Sequence, residues 1–294
     1  SRNTKSSNWS ATSHIWRTSS YLTMAKVKTM LRNVFLKSLR DQRRSLMFWG
    51  IGVAALSLAT VLFYPSVKDV PEFSELFDES DAIARVFAGG FTDLTSPEGY
   101  LNSQLYSLLV PILFLIFTIG QGSGAIAGEE EKGTLDILLS NPTTRLQVLI
   151  QKFAAMVVAT SVLAFVLWLS VVIGGAIVDM DLSLWRTAQA TLSGMLLGIL
   201  FGALALMLGS AFGKRGLSTG IAGALALGTY FIYALAPLVE GLEQVEKVFP
   251  FYYYIGADPL TNGLNLAHAA VLIGITAALL AVAIVTFERR DLAV

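Results

Sequence analysis

Six apolar runs, each about 20 residues or longer, punctuate this 294-residue chain, and no other feature constrains its fold as much. They cover residues 46–64, 101–121, 148–178, 187–212, 217–239 and 267–287. A run of that length crosses a bilayer core as a helix, because every backbone N–H and C=O is then paired within the segment. A buried helix of a soluble core is the alternative for any single run, but it fails for six together. Only 14% of residues are charged, against about 25% in soluble domains, so too little polar chain remains to cover them. The expected fold class is therefore an all-α integral membrane protein with six transmembrane helices. The third run is long enough to tilt or to project beyond the membrane.

Formal net charge is zero, but the two sides of the bundle differ. Segments 24–45, 122–152, 213–216 and 288–294 fall on one side and hold most of the Lys and Arg, from Lys26 and Lys28 to Arg289 and Arg290. The opposite loops hold only Lys68, Arg85, Arg186 and Lys247, with acids such as Asp69, Glu72, Asp179 and Glu243. Basic loops stay in the cytoplasm, so a multi-pass cell-membrane protein with both termini inside is expected.

Residues 1–23 are rich in Ser and Thr, carry Arg2, Lys5 and Arg17, and contain no acid. They read as a leader or cloning remnant, expected to be disordered, with Met24 as the natural start. An organellar transit peptide is the alternative. Residues 24–294 read as one transmembrane domain. Within it, 26–45 carries Val27, Met30, Leu31, Val34, Phe35 and Leu39 at helical spacing, with bases on the other face. That pattern predicts an N-terminal amphipathic helix at the inner surface, among anionic membrane lipids. The acidic stretch 65–100, with Phe73, Phe77 and Phe87, predicts a short surface helix on the other side.

Two stripes of small residues recur every fourth position. Gly194, Gly198 and Gly202 mark the fourth span, and Gly220, Ala224 and Gly228 mark the fifth. Such stripes let helix backbones approach closely in lipid, within one subunit or across a dimer. Later, Phe249-Pro-Phe-Tyr-Tyr-Tyr254 reads either as an interfacial aromatic belt or as a re-entrant segment.

Several chemistries are missing. No span has an ionisable residue near its centre, which argues against proton coupling. Uncharged groups such as Ser107, Thr118, Gln189, Ser193 and Thr229 either line a path or bond neighbouring backbone. Cysteine is absent and the two histidines, His14 and His268, are far apart, so no metal site is expected. Gly120, Gly122, Gly124 and Gly128 follow a membrane helix rather than a strand. The run Gly209 to Arg215 is one residue short of a phosphate loop, and Arg215 stands where a hydroxyl must ligate magnesium. The chain is therefore not expected to bind ATP or to be an enzyme, and no nucleic-acid partner is expected.

Between the second and third spans the sequence changes character. Gly128 and Gly133 interrupt the exit from the membrane, and Thr134 is placed to cap a short helix. Leu135, Leu138 and Leu139 then share one face, and Pro142 breaks the helix, with Asn141 placed to cap the next one. Such an apolar knuckle can dock in a partner's groove. Glu129, Glu130 and Glu131 can meet bases on that partner or on the inner basic segment. The plainer reading is an inner loop whose leucines dip into the interface.

The string Glu-x-x-x-Gly-Thr-Leu-x-x-Leu-Leu-x-x-Pro, from Glu129 to Pro142, closely resembles the ABC type-2 transporter permeases. Phe287-Glu-Arg-Arg-Asp-Leu292 and Phe249-Pro-Phe-Tyr-Tyr with Pro259, Leu260 and Gly263 resemble them too. The resemblance implies a six-span permease in a prokaryotic plasma membrane, paired with a second copy or a homologous permease. It also implies a separate ABC ATPase subunit that binds ATP and Mg, and export of an amphipathic or lipid-like cargo. Carried over by position, Glu129, Glu130, Glu131, Gly133, Thr134, Leu135, Leu138, Leu139 and Pro142 form the coupling helix that meets the ATPase. The competing functions are an ATP-independent channel or lipid scramblase, and a membrane anchor for a soluble partner.

Overall fold

The structure is a computed structural model, and it describes residues 34–68, 95–135, 144–238 and 246–290. Six helices are long and apolar enough to cross a bilayer: Val34–Lys68, Pro97–Ala125, Arg145–Ile177, Leu184–Phe212, Arg215–Leu235 and Leu266–Arg289. They form spans one to six, and no strand occurs among the described residues. Residues 1–23 and 26–33 and the stretch from Phe73 to Phe87 lie outside the described residues.

Span one is longer than its apolar run. Residues 34–45 continue without a break into the membrane as one helix, Val34–Phe63. This corrects the expectation of a separate surface helix over that part of 26–45. The cause is local: no Gly or Pro lies between Val34 and Trp49, so nothing interrupts the backbone ladder.

Span two also starts earlier than expected, at Pro97. Ser96 accepts a hydrogen bond from the Gly99 amide at 3.2 Å, and Pro97 stands in the first turn, where its missing N–H would be unpaired anyway. One wide turn follows at Asn102–Tyr106, with the Ser107 amide donating to the Asn102 carbonyl. Span three opens at Arg145 on a capping box. Thr144 accepts from the Gln147 amide at 3.2 Å, and the Gln147 side chain accepts from the Thr144 amide at 3.3 Å. Thr144 therefore caps this helix, in place of the expected Asn141.

Span four is the most buried of the six, and spans one and six are the least. Its glycine stripe explains this position. A Cβ at Gly194 would lie 3.0 Å from Val110, one at Gly198 would lie 2.9 Å from Phe114, and one at Gly202 would lie 2.8 Å from the Met156 sulfur. A Cβ on Gly122 of span two would meet the Gly202 carbonyl oxygen at 2.1 Å, so these two helices touch backbone to backbone.

The aromatic run after span five resolves in favour of the re-entrant reading. Pro250–Ile255 and Pro259–Asn262 are short helices that turn back into the bundle. Phe251, Tyr254 and Leu260 are buried against spans two, four and five. The Tyr254 hydroxyl donates to the Tyr106 carbonyl at 2.5 Å, and Ser193 donates to the Tyr254 carbonyl at 3.0 Å. Asn102 donates to the Asp258 carboxylate at 2.7 Å. The hydroxyls of Ser107, Thr118 and Thr229 donate to carbonyls of their own helices, which is the plainer of the two roles they could have had.

Candidate functional site

The stretch between spans two and three begins with a five-residue helix, Ala127–Glu131. Gly133 closes it. The Gly133 amide donates to the Glu130 carbonyl and the Thr134 amide to the Glu129 carbonyl, both at 2.9 Å. This paired closure needs one residue in the left-handed region. Gly133 supplies it at φ +64°, where any side chain would be strained. The sequence placed Thr134 as a cap for the helix ahead. In the structure its hydroxyl turns back to the Glu129 carboxylate.

Three consecutive glutamates on a helix fan out, because each residue is rotated by about 100° from the last. Each therefore meets a different part of the bundle. Glu129 accepts from Lys152 of span three at 2.8 Å, and Lys152 is only 8% exposed. Glu130 pairs with Arg290, at the end of span six. Glu131 accepts from the Arg215 amide at 2.8 Å, capping the first turn of span five. Burial pushes the Glu129 carboxyl up. Hydrogen bonds from Lys152 and Thr134, and the charges of Lys152 and Lys37, outweigh that and hold its pKa below the ordinary value.

Two arginines extend the mesh. Arg145 donates to the Phe287 and Arg290 carbonyls at 2.9 and 2.8 Å, satisfying the last turn of span six, and its guanidinium lies over the Phe287 ring. Arg290 also donates to the Ser210 carbonyl at 3.2 Å. Gly213 ends span four at φ +64°, and a Cβ there would collide with the Arg290 guanidinium. The sequence reading missed Lys152, Arg215 and Arg290 as partners of the three glutamates. The fan of a triple glutamate was the available signal.

Leu135 is corrected by the structure. It is 3% exposed and belongs to an apolar cluster with Val34, Ile126, Val148, Leu149 and Phe287. It anchors the stretch to its own bundle, because the turn at Gly133 points it inward, and so it is no exposed docking residue. Leu138, Leu139 and Pro142 lie outside the described residues.

The second small-residue stripe differs from the first. A Cβ at Gly220 or Gly228 would meet nothing within 4 Å, and Ala224 is exposed. The buried face of span five is offset from it, at Ser218, Ala222, Ala226, Tyr230 and Ala234. The glycine stripe thus packs against nothing described in this chain.

The sequence matches the ABC-2 family transporter protein family over residues 32–292. It is also 31% identical over 152 residues to a Stutzerimonas stutzeri protein named "Probable ABC transporter permease protein NosY". That alignment covers 50% of this chain and 51% of the relative, so the chain spans about half the length of the curated relative it matches.

Proposed function

The chain belongs to the ABC-2 family of transporter proteins, and from that premise we propose that it is the permease subunit of an ATP-driven transporter. A separate ABC ATPase binds ATP and Mg and docks at the basic end, which faces the cytoplasm. Leu138, Leu139 and Pro142 make the contact, and the helix carrying Glu129, Glu130 and Glu131 is its root. A second copy, or a homologous permease, covers the outward stripe of Gly220, Ala224 and Gly228 on span five. The cargo is amphipathic or lipid-like and is exported.

One observation carries this reading. A single turn, closed by Gly133, is tied by three adjacent carboxylates to spans three, six and five. A displacement of the stretch after Gly133 is passed to three spans at once, which is what a motor outside the membrane needs. Coupling also requires that the nucleotide states of the motor favour different arrangements of those spans.

The test is co-purification with the ATPase, followed by cargo flux with and without ATP. The double variant Leu138→Asp, Leu139→Asp is expected to lose the ATPase while still inserting as a monodisperse membrane protein. Retained ATPase would overturn the docking assignment. Full flux by the chain alone would favour a channel or scramblase instead.

A further inference from the structure

A cavity of about 500 Å³ opens at the basic end, between the inner turns of span one and the last turns of span two. Its character changes along its length. Lys37, Lys132, Lys152 and Arg215 line the charged part, facing only Asp41 and Glu129 as acids. Trp49, Ile116 and Phe117 line the other part. Ile116 is 57% exposed on the membrane face of span two, so the apolar part opens sideways toward lipid.

Among the described residues the two ion pairs are Lys152 with Glu129 and Arg290 with Glu130. Neither uses Lys37, Lys132 or Arg215. Arg215 also lies against the end of span two and the connecting helix. Its side chain runs over Gly124 and Gly128, with Nε 3.6 Å from a Cβ at the first and Cδ 3.7 Å from a Cβ at the second. The Arg215 side chain thus lies across the end of span two and the start of the connecting helix, at the cavity. Gln42 adds a further signal: its side-chain oxygen is buried and has no hydrogen-bond partner among the described residues. It awaits a donor, which a headgroup hydroxyl would bring.

We infer that this cavity holds the headgroup of an anionic phospholipid. The phosphodiester lies between Lys37 and Arg215, a headgroup hydroxyl reaches Gln42, and the acyl chains leave past Ile116 into the bilayer. Arg is suited to such phosphate contacts by its planar fork of donors. The inference rests on the cavity and on the membrane-spanning fold, and it does not depend on the transport reading.

The test is lipid retention by the full chain, purified in mild detergent from vesicles of equal phosphatidylglycerol and phosphatidylcholine. Native mass spectrometry is expected to show selective retention of phosphatidylglycerol. Lys37→Gln and Arg215→Gln are each expected to lower that retention about fivefold, the scale of one cation at an anionic lipid surface. Neither side chain is in an ion pair with a described carboxylate, so folding should survive. Arg186→Gln, on the opposite side of the bundle, is expected to change nothing. Equal retention of both lipids, or unchanged retention in both variants, would overturn the inference. Displacement of the lipid by low millimolar inorganic phosphate would overturn its assignment to a membrane lipid. None of these readouts needs an ATPase or flux, so the two proposals fail separately.

Discussion

The two ends of this bundle solve one problem with different chemistry. At the basic end, the connecting helix Ala127–Glu131 is tied to its neighbours by formal charges: Glu129 to Lys152 and Glu130 to Arg290. At the opposite end, the re-entrant helix Pro250–Ile255 is tied by hydroxyls and carbonyls of Tyr254, Tyr106 and Ser193, with Phe251 packed beneath. Both ties reach spans in the middle of the fold. The difference lies in how each can be released. Neutral hydrogen bonds in a dry interior neither titrate near neutrality nor respond to salt. Charge pairs respond to salt and are lost in acid, and their partners can be exchanged when an outside protein brings its own charges. The tie at the basic end is therefore sensitive to charge, and the tie through Tyr254, Tyr106 and Ser193 is not.

The sharpest way to break this contrast is to remove one charge. Glu129→Ala leaves Lys152 buried without its carboxylate, and such a loss costs about 3–5 kcal/mol. Thermal unfolding in micelles measures it, and adding Lys152→Met should recover most of the loss. A cost below about 1 kcal/mol would mean that this pair does not hold the basic end. The matching change at the other end is smaller. Tyr254→Phe leaves the buried Tyr106 carbonyl without its donor, at about 1–3 kcal/mol. That loss is expected to be the same from roughly 0.05 to 0.5 M salt, a range over which surface charges go from felt to screened. A salt-dependent loss would erase the distinction between the ends.

How much of this was legible in the sequence follows from range. The six spans were legible because apolar length is a local property of the chain. The stripe at Gly194, Gly198 and Gly202 was legible as a packing face for the same reason. The offset of Gly220 and Gly228 from the buried face of span five was not, because both stripes look alike until the neighbours are known. The interfacial helix was misjudged over 34–45: an amphipathic stripe fixes a face, but not whether the helix bends at the membrane. Leu135 was misassigned because spacing gives it a face shared with Leu138 and Leu139, but not that the turn at Gly133 sets it against Val34, Val148 and Phe287. The partners of Glu129, Glu130 and Glu131 come from positions far along the chain, where spacing carries no information.

The gentlest probe of the contrast is acid. Glu129 has a folded pKa held below its ordinary value of 4.5. Such a group contributes stability that is fully present above the unfolded value and is lost as pH falls through the folded one. Protection of residues 127–135 from hydrogen exchange should therefore stay constant from about pH 7 to pH 5 and fall below about pH 4.5. In a variant carrying Asp258→Asn, which removes the carboxylate bonded to Asn102, protection of the Tyr254 amide region should hold over the same range, because the hydroxyls and carbonyls left there do not take up protons. Glu129→Gln keeps the shape and removes the titration, so the acid step at 127–135 should flatten in that variant while its baseline protection drops. An acid step that survives Glu129→Gln unchanged would overturn the assignment of the acid sensitivity to Glu129.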